Sequence, residues 1–243
     1  MKKLIYKALT FFSLTGVALT SCQSTSSEDY TQQAKAKMDL GKYREAISLT
    51  DEALKIDANN HDAMNVKGVA YFLLDENSKA LNTFTEAIDL DSTQYKYYYN
   101  RGNVQRKLSN HKAAIEDYRS AITIDNSQYE AFLNKALAEV ADGDANEAME
   151  DFNKAEELSN GKDKLVFLHR ARLKMVKLDF NNAVADLEKA IALDKEYGEA
   201  YYYLALSKSG LKGDPDEEIC SLLRKANNLG VNEAADALAK YCQ

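Results

Sequence analysis

The chain has 243 residues, of which 45% are hydrophobic, so it can bury the core of one large domain or two small ones. Its 31 Lys and Arg residues against 38 Asp and Glu residues give a formal net charge of −7, and this acidic balance disfavours nucleic acid and anionic membrane surfaces as partners. A single Pro, together with abundant Ala, Leu, Glu and Lys, favours a mostly helical protein.

Residues 1–21 have the layout of a secretory signal peptide, which would be removed from the mature protein. Lys2, Lys3 and Lys7 form a positively charged end. The apolar or small run at 8–19 is short for a membrane span. Cleavage would take away three Lys and no acid, so the mature chain would be more acidic still.

The end of this segment, Leu-Thr-Ser-Cys at 19–22, resembles the bacterial lipobox. The resemblance implies cleavage before Cys22 and attachment of lipid to it, with residues 22–29 as lipidated cysteine and polar tether. Several acyl chains anchor a protein durably, whereas one holds it only marginally. Gln23 follows the cysteine, and the absence of Asp there fits lipoproteins sent to an outer membrane. The alternative is a secreted protein that has Cys22 by chance and carries no lipid.

A period of about 34 residues runs through the rest of the chain. Two Ala residues seven apart recur in register five times, at Ala46 and Ala53, Ala80 and Ala87, Ala114 and Ala121, Ala148 and Ala155, and Ala183 and Ala190. Twelve residues before each pair stands another small residue, namely Ala34, Gly68, Gly102, Ala136 or Ala171. Apolar residues spaced three to four apart, with turn signals between them, predict two helices in every unit.

This pattern resembles the tetratricopeptide repeat family, whose unit is a helical hairpin of 34 residues with small residues where helices cross. The resemblance implies an all-α, right-handed superhelical solenoid of helix-turn-helix repeats with a C-terminal capping helix. We predict an array at 30–230, with repeats that begin near residues 27, 61, 95, 129, 164 and 198, and a cap at 231–243. The Pro that is frequent between repeats of the family is missing, and the sixth repeat departs most, with Ile219 where Ala is usual.

Two cysteines remain once Cys22 is assigned to lipid, and two interpretations of them stay open. If the last helical hairpin turns near Gly230, Cys220 and Cys242 come to similar heights and can form a disulfide. Alternatively both are buried thiols, because Cys220 occupies a position that is apolar in the other repeats.

Patterns of catalytic or metal-binding residues are missing from the sequence. The glycines form neither a phosphate loop nor a dinucleotide fingerprint, and the three histidines have no Cys or second His at ligand spacing. The run Asp-Gly-Asp at 142–144 imitates the start of a calcium loop, but Glu147 and Asn153 stand where that loop requires Gly and Glu. We therefore predict a protein that is not an enzyme and that has no cofactor or metal.

The family resemblance implies that the first helices of the repeats line a concave groove, mainly through positions 2, 5, 6, 9, 12 and 13. The residues predicted to contact a partner there are Asn65, Lys96, Tyr99, Asn100, Asn103, Arg106, Asn134, His169, Arg172 and Tyr202. Amides suit a peptide backbone, aromatic rings suit side chains, and Arg or Lys suits a carboxylate. The alternative for any one of these residues is packing against a neighbouring helix. A carboxylate clamp typical of chaperone-binding members is not expected, because Tyr99, Leu165 and His169 replace its basic residues.

These features predict a scaffold or adaptor of the bacterial cell envelope, anchored through Cys22, with a protein or peptide partner in the groove. The membrane is predicted to be the outer one. A second hypothesis is a carrier of a small molecule or glycan with an aromatic pocket around Tyr201, Tyr202 and Tyr203. Nucleic acid is not an expected partner, and the sequence leaves the oligomeric state open.

Overall fold

The computed structural model describes residues 25–213 and 215–242, and this part of the chain forms thirteen α-helices and no strand. In chain order they are α1 (Ser27–Asp39), α2 (Tyr43–Ile56), α3 (His61–Leu73), α4 (Asn77–Leu90), α5 (Tyr95–Lys107), α6 (His111–Ile124), α7 (Tyr129–Asp142), α8 (Ala145–Leu158), α9 (Lys164–Val176), α10 (Phe180–Leu193), α11 (Gly198–Lys212), α12 (Glu217–Asn228) and α13 (Asn232–Tyr241). The predicted all-α class is confirmed. Within the described ranges, every helix is too short or too polar to cross a membrane. The predicted signal peptide, Cys22 and the start of the tether lie outside them.

Consecutive helices pair into six hairpins, and each hairpin packs on the next to form the array. The first helices of the hairpins begin at Ser27, His61, Tyr95, Tyr129, Lys164 and Gly198. These are the residues near which the repeats were expected to begin. The last helix, α13, packs on α12 and lies where the capping helix was predicted. Its Ala234 and Ala237 join Ile219 and Leu223 of α12 in an apolar cluster that closes the end of the stack.

The periodic small residues lie where the two helices of a hairpin approach each other. Every Ala of the five sequence pairs is completely buried. A Cβ atom added at Gly68 would lie 2.6 Å from the ring of Phe84, and one at Gly102 would lie 2.9 Å from the ring of Tyr118. A side chain at either of these two crossings would therefore require the aromatic ring of the second helix to shift.

Ion pairs join the two helices of repeats three, four and five. A basic residue at position 7 of the first helix contacts an aspartate sixteen residues later, in the pairs Arg101 with Asp117, Lys135 with Asp151, and Arg170 with Asp186. The Arg170 guanidinium donates two hydrogen bonds of 2.8 Å to the Asp186 carboxylate. Since these charges are taken out of water, the hydrogen bonds between them offset the cost of burial.

Cys220 on α12 and Cys242 after α13 are joined by a disulfide in this structure, with their Cα atoms 5.7 Å apart. The chain reverses between the two helices at Gly230, whose φ of +88° favours glycine. Of the two interpretations that the sequence leaves open, the structure adopts the disulfide.

Candidate partner-binding groove

Side-chain hydrogen bonds connect the first helices of repeats two, three and four. The Asn100 amide on α5 donates to Asn65 Oδ1 on α3 at 2.8 Å. The Asn134 amide on α7 donates to the Tyr99 hydroxyl on α5 at 2.9 Å. In both cases position 6 of one repeat donates to position 5 of the repeat before it. These four predicted groove residues are therefore bonded to one another, and we call them the amide ladder.

The ladder stops between repeats four and five. Position 5 of repeat four is Leu133, which has no polar atom in its side chain, and position 6 of repeat five is His169. His169 forms no hydrogen bond with any described residue. Helices α7 and α9 are thus not connected by side-chain hydrogen bonds at the two positions that connect the earlier repeats.

An open cavity of about 960 Å³ lies at this break in the ladder. Four of the predicted groove residues line it, namely Arg106, Asn134, His169 and Arg172. Much of its wall is aliphatic and comes from Leu133, Leu137, Val140, Leu165, Met175 and Val176. None of the residues that line the cavity is acidic, although the chain as a whole is. The cavity therefore combines an aliphatic wall with positive charge.

The two arginines of the cavity have no carboxylate partner among the described residues. The Nε atom of Arg106 is buried and has no hydrogen-bond partner. The guanidinium of Arg172 lies 5.0 Å from the ring centre of Tyr203, at the distance of a cation–π contact. Arg106 also interacts with the hydroxyl of Tyr118, but neither guanidinium is neutralised by a carboxylate, so both can attract an anion that enters the cavity.

His169 lies close enough to both arginines for them to alter its titration. Burial, Arg172 and Arg106 together lower the pKa of His169 to about 4, from an ordinary value of 6.5. The imidazole is therefore neutral at neutral pH. In this state it has one N–H to donate, and the positive charge of the cavity comes from the arginines.

The remaining predicted groove residues lie elsewhere. Asn103 accepts a hydrogen bond of 2.8 Å from the buried Tyr118 hydroxyl, so its side chain is a hydrogen-bond partner of the core of repeat three. Lys96 is exposed and does not line the cavity. Tyr202 lines a separate cavity of about 470 Å³ where α11 meets the start of α13. The structure thus divides the predicted set among the ladder, the cavity and isolated positions.

The three tyrosines of the predicted aromatic pocket do not share one cavity. Tyr202 and Tyr203 are in edge-to-face contact, with ring centres 5.3 Å apart, and both line the smaller cavity. Tyr201 does not line it and lies instead beside Lys225 of α12, with the ammonium 5.9 Å from its ring centre. A pocket formed by all three rings was therefore the wrong expectation.

Residues at the rim of the larger cavity were not among the predicted contacts. Val140, Leu165 and Val176 line it, and Val176 is 79% exposed. They occupy positions 12, 2 and 13 of their repeats, which are groove positions in the family pattern. The signal was therefore present in the sequence, but the prediction selected mainly polar and charged side chains. Within the described residues, no cluster of His, Cys, Asp and Glu side chains forms a metal site.

Comparison with solved structures shows the fold. PilF of Pseudomonas aeruginosa superimposes with a TM-score of 0.77 at 18% identity, covering 88% of this chain and 97% of that chain. PilW, described as a widely conserved type IV pilus biogenesis factor, has a TM-score of 0.76 at 21% identity, with 87% and 98% covered. YrrB, described as having an unusual peptide-binding site, has a TM-score of 0.61 at 21% identity, with 73% and 91% covered.

Comparison of the sequence with family models identifies the repeats themselves. A comparison with curated proteins finds no match to the chain. Models described as Tetratricopeptide repeat match residues 31–95, 95–127 and 129–161. These matches together cover more than half of the chain and coincide with the helical hairpins of its first four repeats. The chain therefore belongs to the tetratricopeptide repeat family.

Proposed function

We propose that this protein is a scaffold or adaptor of the bacterial cell envelope that is anchored through lipid on Cys22 and binds a protein or peptide in its groove. The observation that carries the proposal is the cavity between α5, α7 and α9. Its aliphatic wall and two arginines without ion-pair partners form a surface suited to another chain. The descriptions of PilW as a pilus biogenesis factor and of YrrB as a peptide-binding protein are consistent with such a role.

The position of the first helix supports the anchored part of the proposal. Helix α1 begins at Ser27, and Ser26 caps it by accepting a hydrogen bond of 3.1 Å from the Asp29 backbone N–H. Five residue steps separate Cys22 from Ser27, so the chain between them can extend by at most about 18 Å. Lipid on Cys22 would therefore hold the start of α1, and with it the first repeat, close to the membrane surface.

Fractionation of cells that express the full chain tests the anchor. The wild type should sediment with membranes and incorporate labelled palmitate, whereas the Cys22→Ser variant should incorporate none. The variant keeps the apolar segment at 8–19, so it also controls for retention by that segment alone. Equal membrane association of both proteins, without palmitate in either, would contradict the lipid anchor.

Co-purification from cross-linked, solubilised envelopes tests the scaffold role. We compare the wild type with Arg106→Gln/Arg172→Gln, which removes two charges from the cavity. The matched control is Lys112→Gln/Lys195→Gln, which removes two charges from exposed lysines outside it. A protein that accompanies the wild type and the control, but not the cavity variant, supports the proposal. The same proteins in all three samples would show that the cavity is not the binding surface.

A second candidate function is carriage of a small molecule or glycan. The observation that favours it is the separate cavity of about 470 Å³ lined by Tyr202 and Tyr203, because aromatic rings can stack on sugar faces. Thermal unfolding in the presence of sugar panels, with Tyr202→Ala as control, tests it. A rise in Tm with a sugar in the wild type, absent from Tyr202→Ala, would favour the carrier over the scaffold.

A further inference from the structure

The arginines of helices α5 and α9 fall into two kinds. Arg101 on α5 and Arg170 on α9 are each bonded to an aspartate of their own hairpin. Arg106 and Arg172 lie on the same two helices but form no ion pair with a described residue, and both line the larger cavity. The first two arginines hold the hairpins together. The second two place positive charge in the cavity without a carboxylate from this chain.

The wall of the cavity makes a hydrated inorganic anion a poor occupant. Leu137, Val140 and Val176 present aliphatic surface beside the arginines, and Val176 is the most exposed of them. Apolar surface in contact with water favours an occupant that brings its own apolar groups. The preferred occupant therefore carries carboxylates and aliphatic groups close together.

The dimensions of the site favour an extended peptide as the source of these groups. Arg106 is on α5 and Arg172 is on α9, and the first helix α7 lies between these two. The axes of packed helices are separated by about 8–10 Å, so α5 and α9 are two such steps apart. Two such steps correspond to about five or six residues of an extended chain, at about 3.3 Å per residue. A segment of this length can present several side chains to the cavity at once.

We propose, as a specification of the function proposed above, that the cavity binds an extended partner segment in which acidic and aliphatic side chains alternate. The carboxylates bind Arg106 and Arg172, and the neutral imidazole of His169 donates a further hydrogen bond. The aliphatic side chains pack on Leu137, Val140 and Val176. The break in the amide ladder at Leu133 and His169 distinguishes this site from the preceding part of the groove.

Fluorescence polarisation with the purified full chain tests this specificity. The probe is a labelled, amidated peptide, Gly-Glu-Leu-Glu-Val-Glu-Leu-Gly, whose only carboxylates are in side chains. One control peptide replaces each Glu by Gln, and another replaces Leu and Val by Ser. We expect each control to bind at least about tenfold more weakly, since one loses the charge-assisted bonds and the other the apolar contact. Equal binding of the Gln peptide would overturn the acidic specificity.

Two variants locate the binding site. Arg106→Gln/Arg172→Gln should weaken binding by at least about tenfold, whereas Lys112→Gln/Lys195→Gln should bind like the wild type. The double variant Leu133→Tyr/His169→Asn introduces between repeats four and five the same Tyr and Asn pair that Tyr99 and Asn134 form between repeats three and four. This variant keeps both arginines but should lose binding. Thermal melting verifies that each variant is folded. Unchanged binding in either cavity variant would overturn the assigned site.

The outcomes separate this proposal from the more general one. If the Gln peptide binds as well as the acidic peptide and Leu133→Tyr/His169→Asn abolishes both, the groove binds peptides but the acidic specificity is wrong. If dodecanoate binds and no peptide does, the occupant is a free amphiphile, and both the specificity and the scaffold role fail at this site. Absence of binding by peptides and dodecanoate alike also overturns this proposal.

Discussion

Repeats three and five are built on the same frame, but their first helices contact repeat four differently. Repeat three is bonded to repeat four through Tyr99 and Asn134. Repeat five meets repeat four with His169 opposite Leu133, without a hydrogen bond, and the larger cavity lies there. The periodic small residues thus build the stack, whereas positions 5 and 6 determine whether adjacent first helices are connected in the groove.

The largest expected difference between the two repeats concerns their internal ion pairs. Asp186→Ala should lower the free energy of unfolding by about 3 kcal/mol, because it leaves buried Arg170 and partly buried Lys174 without this partner while Glu156 still contacts Arg170. Asp117→Ala should cost only about 1 kcal/mol, because the Arg101 side chain is 22% exposed and can be hydrated. Urea denaturation of both variants measures the difference. Equal losses would mean that burial does not distinguish the pairs.

Reduction of the disulfide should affect the end of the array that lies beyond the cavity. Cys220 and Cys242 are 22 residues apart. Breaking a disulfide that closes a loop of this size should lower the free energy of unfolding by about 3 kcal/mol, because the unfolded chain gains entropy. Mass spectrometry after alkylation, with and without reductant, first establishes the bond. Hydrogen exchange after reduction should then increase in α11–α13 and stay unchanged in α3–α5. Free thiols before reduction would instead support the buried-thiol interpretation.

Breaking the amide ladder should have a smaller effect on stability. Tyr99→Phe removes the hydroxyl that accepts the Asn134 hydrogen bond, and the expected loss is about 1 kcal/mol. Arg172→Gln, on the unconnected side, should change the free energy of unfolding by less than about 0.5 kcal/mol, because Arg172 forms no ion pair to lose. Urea denaturation gives both values. A larger loss for Arg172→Gln would show that the cavity arginine also has a structural role.

The effect that is smallest at neutral pH concerns His169 and develops only as the solution becomes acidic. Its folded-state pKa of about 4 lies below the ordinary value of 6.5, so the unfolded chain binds the proton more tightly. This contribution to stability is complete above pH 6.5 and is lost as the pH falls from 6.5 towards 4. The Tm of the wild type should therefore fall by several degrees more than the Tm of His169→Asn as the pH is lowered through this window.

A second variant checks the cause of this pH dependence. Arg172 lowers the pKa of His169, so Arg172→Gln should bring that pKa closer to its ordinary value. The Tm of Arg172→Gln should then depend less on pH between 6.5 and 4 than the Tm of the wild type. Identical pH profiles would show that Arg172 does not act on the imidazole.

Much of the fold follows from local patterns that any single repeat displays. The Ala pairs predict the helix crossings, because a close approach of two helices requires small residues whatever lies beyond them. The cavity was harder to predict from the sequence. The prediction named Arg106, His169 and Arg172 but not Val140, Leu165 or Val176. These aliphatic side chains occupy groove positions of the family pattern but resemble core residues in the sequence. Their exposed surface in the stack shows that they belong to the groove.

The sequence by itself determined the helical hairpins, their number and their order, because the period of 34 residues and the turn signals act over short distances along the chain. Only the tertiary structure decided which groove residues bond to each other. The partners Asn65 and Asn100, like Tyr99 and Asn134, are 35 residues apart, and their contact depends on how one hairpin is rotated and translated onto the next. For the same reason, the cavity at Leu133 and His169 emerged only when the repeats were stacked.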